Sequence, residues 1–157
     1  MTTATPSASA GPTGLRAAWN RIADALERRI GHSLLALAAR FAIAGIFFMS
    51  GRTKVDGWLS VSENAVALFA DEYQVPLLSP EVAAHLATYA EHLFPILLLL
   101  GLFTRFSALA LLGMTAVIQI FVYPAAWATH LSWAGLLLYL AGRGAGTWSL
   151  DRLLGIR

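Results

Sequence analysis

The fold follows from the stretch Val82–Leu102, which reads VAAHLATYAEHLFPILLLLGL. It has the length of a membrane-spanning helix, for which about 20 largely apolar residues are needed. It nevertheless carries His85, Glu91 and His92, and ionisable side chains are costly inside a bilayer. The stretch therefore predicts a transmembrane helix that has one polar face.

Three further apolar stretches flank it, at Leu34–Val55, Phe106–Tyr123 and Trp127–Gly142. The last is short for a span, and we extend it into the turn before it. The predicted spans are at about 34–55, 82–102, 106–123 and 125–142. The predicted fold class is an all-α membrane protein, a four-transmembrane-helix bundle. An amphipathic helix precedes it, and an outer interfacial or re-entrant segment lies between helices 1 and 2.

The composition agrees with a lipid environment. Of the 157 residues, 57% are hydrophobic and only 13% are charged, against about 25% charged in soluble domains. The net charge of +2 comes from scattered residues rather than a basic stripe, which argues against a nucleic-acid partner. The chain has no cysteine, so disulfides, thiolate metal sites and a thiol relay of its own are excluded.

The chain before the first span divides in two. Residues 1–14 are rich in Ala, Ser, Thr, Pro and Gly and are predicted to be a disordered tail. Residues 15–31 place apolar side chains at helical spacing, with Trp19 among them. They predict an amphipathic helix on the cytoplasmic surface of the membrane, the alternative being a helix packed on a partner or on the bundle. Residues 32–157 are predicted to form a single membrane domain.

Basic residues predict the orientation, because they concentrate in cytoplasmic loops. One side of the predicted bundle carries eight of them: Arg16, Arg21, Arg28, Arg29, Arg105, Arg143, Arg152 and Arg157. The other side has Arg52 and Lys54. The bias predicts a multi-pass protein of the bacterial inner membrane with both termini in the cytoplasm. The connection Asp56–Glu81, with interface residues Trp58 and Tyr73, then covers the outer mouth of the bundle.

Two opposite charges are predicted to meet inside the membrane. Arg40 lies six residues into the first span, roughly 9 Å from its cytoplasmic end at 1.5 Å per residue. Glu91 lies eleven residues from Leu102, roughly 16 Å deep on the same scale. The difference is within reach of an extended arginine, so we expect an Arg40–Glu91 pair. Two interpretations stay open: it fastens two helices together, or it belongs to a ligand or proton site.

A small polar cavity among the first three helices is the corresponding site hypothesis. Its candidate residues are Arg40, Glu91, His92, Thr115 and Gln119. Glu91 is joined on its helix face by His92, and the helix of Thr115 and Gln119 brings polar groups to similar depth. No catalytic residue is assigned.

Three further candidates, Lys54, His85 and His130, lie toward the outer face. A metal site formed by His85, His92 and His130 is conceivable. We favour the simpler interpretation that each histidine hydrogen-bonds a neighbouring helix or the interface, because no tight HxxxH spacing occurs. The sequence also contains no recognisable haem, flavin or iron–sulfur ligand set.

A series of short motifs resembles the DoxX family of small bacterial membrane proteins, over roughly Leu34 to Leu154. The residues that carry the resemblance are Arg40, Gly45, Phe48, Gly51 and Lys54; Ala90-Glu91; Gly101-Leu102-Phe103-Thr104-Arg105; Phe121-Val122-Tyr123-Pro124; Trp127, His130 and Trp133; and Gly144-x-Gly146-x-x-Ser149-Leu150-Asp151. The resemblance implies a four-helix inner-membrane protein. Some family members are linked to quinol-oxidising or other membrane redox complexes, and others accompany metal- or stress-response proteins.

Three functions follow from this. The favoured one is an accessory component of a quinone-linked redox or stress-response system, touching quinone through the Glu91 cavity and drawing electrons from a partner protein. The alternatives are a binder or transporter of a small molecule, lipid or metal ion, and a structural membrane anchor for a partner. We expect no catalytic activity of the chain on its own. The partners are the lipid bilayer and another membrane or redox protein, with a homo-oligomer left open.

Overall fold

The computed structural model describes residues 14–156. Apart from Gly14, the predicted tail lies outside the described residues. Helix α1, Leu15–Arg29, belongs to a unit that ends at Gly31, and a second unit starts at His32. None of the α1 side chains is buried within its unit, and Leu15 and Trp19 are among the most exposed. A helix is therefore confirmed here, while its place on the membrane surface stays a prediction.

The second unit is built almost entirely of helices. The longer ones are α2 (His32–Arg52), α4 (Pro80–Leu100), α5 (Thr104–Val117) and α6 (Trp127–Arg143). A π-helical turn, Ile118–Val122, continues α5, and a 3₁₀ turn, Pro124–Ala126, precedes α6. The C-terminus forms the short helix α7, Leu150–Leu153. The prediction of an all-α membrane protein is confirmed at this level.

Within residues 14–156, three helical stretches are long and apolar enough to cross a membrane: His32–Arg52, Pro80–Leu100 and Thr104–Val122. They correspond to the first three predicted spans. Helix α6 has 17 residues, at the lower limit for a span, so the fourth span stays a prediction.

Small residues and aliphatic side chains bring the four long helices together. Helix α2 packs on α4 and α6, and α5 packs on the same two helices. The core consists of Ala36, Ala39, Ile43, Ala44, Phe47, Leu98, Ala108, Leu111, Leu137 and Leu140. Alanines on α2 allow a close approach of backbones, which is how helices associate without a hydrophobic driving force between them.

The segment between α2 and α4 is a small folded cover. Val55–Asp56 (β1) pairs antiparallel with Ser60–Val61 (β2), and then α3, Glu63–Leu68, runs into a π-helical turn, Phe69–Tyr73. Phe69 from this turn is buried against Ala83 and Ala84 of α4. The cover is thus held on the first half of α4, next to the site described below.

Candidate functional site

A buried ion pair joins the end of α2 to the middle of α4. Lys54 Nζ lies 2.7 Å from Glu91 Oε2, and the two side chains are 6% and 5% exposed. The ammonium also donates to Ser50 Oγ at 2.9 Å and to the Ser50 carbonyl at 3.2 Å. All three N–H groups of Lys54 therefore have partners, as a buried ammonium requires.

Gly51 makes this arrangement possible. A Cβ atom placed on Gly51 would lie 2.9 Å from the His92 ring and 3.0 Å from Glu91 Cβ. Such distances are too short, so only glycine lets α2 approach α4 this closely. The chain then leaves the helix in a turn, with the Lys54 amide bonded to the Gly51 carbonyl. That turn directs the lysine back toward α4.

The ion pair borders a cavity of about 430 Å³. Helices α2, α4, α5 and α6 and the cover contribute its walls, which are mostly apolar. The polar side chains among the lining residues are Ser50, Lys54, Tyr73, Glu91, Tyr123 and His130. A largely apolar pocket with a few placed polar groups is the usual form of a small-molecule site.

Glu91 has one oxygen outside the ion pair. Oε2 accepts from Lys54, whereas Oε1 takes no part in the salt bridge. Because Glu91 lines the cavity, its carboxylate is an acceptor for a hydroxyl or N–H group bound there. The adjacent ammonium stabilises the carboxylate charge in this low-dielectric site.

His130 of α6 also lines the cavity. Its Nδ1 shares a hydrogen bond of 2.7 Å with Gln119 Oε1, and its ring packs edge-on against Trp133. The hydrogen bond fixes the orientation of the imidazole, as second partners of histidine generally do. The structure buries His130 beside the cavity, and its predicted depth near the outer surface stays a prediction.

Two tyrosines line the cavity next to the cover. Tyr73 of the cover and Tyr123 stack edge-on, and Tyr123 donates a hydrogen bond of 2.5 Å to Glu72 Oε1. Because a carboxylate oxygen accepts, the Tyr123 hydroxyl is the donor in this bond. The contact ties the cover to the α5–α6 connection.

The expected Arg40–Glu91 pair is wrong. Arg40 instead donates to four backbone carbonyls: those of Leu98 (2.6 Å), Leu99 (2.5 Å), Ala145 (3.2 Å) and Trp148 (2.7 Å). The carbonyls in the last turn of a helix lack intrahelical partners and attract cations. The guanidinium therefore caps α4 and binds the C-terminal segment to it, away from the cavity.

Asp151 completes this clamp from the other side. Its carboxylate accepts from the amides of Phe103 (2.7 Å) and Thr104 (3.0 Å), which begin α5. Gly101 ends α4 with φ of 64°, and a Cβ there would lie 2.5 Å from Ser149 and 2.8 Å from Arg40. Arg40 and Asp151, which have opposite charges, thus hold the tight α4–α5 turn together.

The remaining sequence candidates do not gather around Glu91. His92 Nδ1 donates a hydrogen bond to the Thr88 carbonyl, and the ring packs on Phe48, outside the cavity. The buried Nε2 of His92 has no partner among the described residues. Thr115 donates back to Leu111. With Gln119 it lines a neighbouring space of about 370 Å³ that shares only His130 with the main cavity.

The three histidines of the metal hypothesis also stay apart. His85 bonds the Glu81 carbonyl on its own helix, while His92 and His130 have the separate partners given above. Among residues 14–156, no group of three or more His, Cys, Asp or Glu side chains is placed to hold a metal ion.

Sequence reasoning missed Lys54 as the partner of Glu91. It had placed the lysine at the outer end of the first span, among the outer-face residues. One signal in the sequence was Gly51, which lies shortly before Lys54, because a glycine at the end of a span indicates the close approach of a second helix.

A protein-family model and a bacterial protein match this sequence. The sequence model of the family described as DoxX matches residues 35–124. A Haemophilus influenzae (strain Rd) protein, described only as uncharacterized, is 32% identical over 141 residues, covering 83% of this chain and 90% of that protein. No solved structure matches. Lys54, Glu91 and the α4–α5 turn all lie within the matched region.

Proposed function

The chain belongs to the DoxX family of membrane proteins, and on that basis we propose that it serves a quinone-linked membrane redox system as an accessory, ligand-binding component. Its cavity receives the ring of a quinol or quinone, and electrons pass through a partner protein. The observation that carries this proposal is the Glu91 carboxylate, held beside Lys54 at the wall of an apolar cavity.

The chemistry of the cavity suits this ligand class. A quinol has an apolar ring and hydroxyl groups that must lose protons when it is oxidised. One hydroxyl can donate to the Glu91 carboxylate, and a carboxylate at hydrogen-bond distance is a competent proton acceptor. The apolar walls accommodate the ring and exclude water, which strengthens the polar contacts inside.

We expect Glu91→Gln to weaken binding of a short-chain quinol by about tenfold, because hydrogen bonds to charged groups contribute roughly 1.5–3 kcal/mol. Binding is measured by titration calorimetry on the purified chain in lipid nanodiscs. Glu81→Gln is the matched control, since Glu81 lies on the same helix and is exposed. Equal affinities for the wild type and Glu91→Gln contradict the proposal. If quinol does not bind to the wild type at all, the proposal is also contradicted, and the transporter and anchor alternatives are favoured.

We also propose four spans with both termini in the cytoplasm of the bacterial cell. The support is the charge bias and the outward face of α6, where Leu131 and Leu138 are exposed as lipid-facing residues are. With Pro124–Ala126 included, α6 reaches the length of a span.

Reporter fusions test this orientation. Fusions after Arg105 and after Arg157 are expected to report the cytoplasm, because basic residues resist translocation. A fusion at Gln74 in the cover is expected to report the outside. A periplasmic signal from the C-terminal fusion contradicts four spans while leaving the first three untouched.

A further inference from the structure

We propose that a basic groove at the α7 end of the bundle binds the phosphodiester head group of an anionic phospholipid. The groove measures about 710 Å³ and lies between the α4–α5 turn, the end of α6 and α7. It is separate from the cavity that contains Glu91.

Three arginines line the groove: Arg105, Arg143 and Arg152. Within residues 14–156, the single ion pair at salt-bridge distance is Lys54–Glu91, so no carboxylate pairs with these arginines. Arg105 uses one nitrogen, Nη1, to bond the carbonyls of Ala141 and Gly142. Its Nε and Nη2 have no partner among the described residues and remain available to an anion.

The one acidic residue in the groove does not cancel this charge. Both carboxylate oxygens of Asp151 accept hydrogen bonds from the amides that begin α5. These bonds and the positive end of the helix dipole offset the charge of Asp151. The remaining ionisable side chain, His32, forms a hydrogen bond between its Nδ1 and the Tyr139 hydroxyl. The groove is therefore positive.

Apolar side chains next to the arginines point to a lipid rather than a soluble anion. Phe103 and Phe106 line the groove and are 52% and 64% exposed. A phospholipid whose phosphate is bound by the arginines would have its acyl chains beside these rings and along the outer surface of α5. Basic pockets at the membrane surface recognise anionic head groups in this way.

Native mass spectrometry of the full chain in detergent tests the proposal. Phosphatidylglycerol is expected to stay bound where phosphatidylcholine with the same acyl chains is lost. The double substitution Arg143→Gln/Arg152→Gln should weaken phosphatidylglycerol binding by about thirtyfold, since each basic residue near an anionic lipid contributes about 1 kcal/mol. Both arginines are exposed, so the variant is expected to fold, which its circular dichroism and elution volume verify.

Arg28→Gln/Arg29→Gln is the matched control, because it removes the same charge from α1. It is expected to keep the tightly bound phosphatidylglycerol. Equal losses in both double variants, or equal retention of the two lipids by the wild type, overturn the proposal. Glycerol 3-phosphate is added as a soluble source of the same phosphate. If it displaces the lipid at equal concentration, the groove is a site for free phosphate and the lipid assignment is wrong.

Discussion

Lys54→Met is expected to lower the free energy of unfolding in detergent by about 3–5 kcal/mol, the usual cost of removing one partner of a buried ion pair. The reason is the environment of Glu91, which is 4% exposed and has no other cation within salt-bridge distance among the described residues. An unpaired carboxylate there must either be neutralised by a proton or draw water into the helix interface. Both outcomes loosen the contact between α2 and α4. Thermal unfolding followed by tryptophan fluorescence gives the measurement.

Two further variants make this result specific. Arg52→Met removes the neighbouring cation, whose hydrogen bonds to Gly57 and Trp58 are exposed, and should cost less than about 1 kcal/mol. Combining Lys54→Met with Glu91→Gln should cost less than the sum of the two single changes, because the charges depend on each other. Strict additivity in that cycle would show that the pair does not form in solution.

Arg40→Gln is expected to cost about 4 kcal/mol of unfolding free energy, because four backbone carbonyls, two of them in buried hydrogen bonds, lose a charged donor. Arg40→Lys should fail to restore stability. A lysine presents one small ammonium, whereas the planar guanidinium of arginine reaches α4 and the C-terminal segment at the same time. The same fluorescence assay applies.

The region that Arg40→Gln destabilises distinguishes the role of this clamp from that of the cavity. Arg40→Gln should expose the chain around Ala145 and Trp148 to limited proteolysis before the rest of the bundle. Its effect on quinol binding in intact protein should be small, since Arg40 does not line the cavity. Arg28→Gln, on the exposed face of α1, is the control for loss of one positive charge. Stability equal to that of the wild type in Arg40→Gln would contradict the clamp.

The sequence predicted the helices to within a few residues. The second span was expected at 82–102 and runs from Pro80 to Leu100. It starts at Pro80 because Ser79 caps it and proline is favoured in the first turn. It ends at Leu100 because Gly101 adopts the left-handed conformation that stops a helix. Length, hydropathy and caps are local properties, so they can be read from the sequence.

The candidate site was predicted only in part. Glu91 was identified because a charge deep in an apolar stretch is conspicuous in any sequence. Its expected partner was wrong because depth along a helix gives only one coordinate. The predicted depths of Arg40 and Glu91 are within reach of an extended arginine, but Arg40 points toward the end of α4 and the C-terminal segment.

The sequence by itself therefore determined the membrane class, the approximate bounds of the long helices and the presence of a buried carboxylate. Each of these depends on residues adjacent in the chain. Only the tertiary structure decided that Lys54 meets Glu91 and that Arg40 and Asp151 hold the α4–α5 turn. Such partnerships depend on the rotation of each helix about its axis and on the close approach permitted at Gly51 and Gly101. Packing of the whole bundle sets those quantities, because a side chain finds its partner across helices that are distant in sequence.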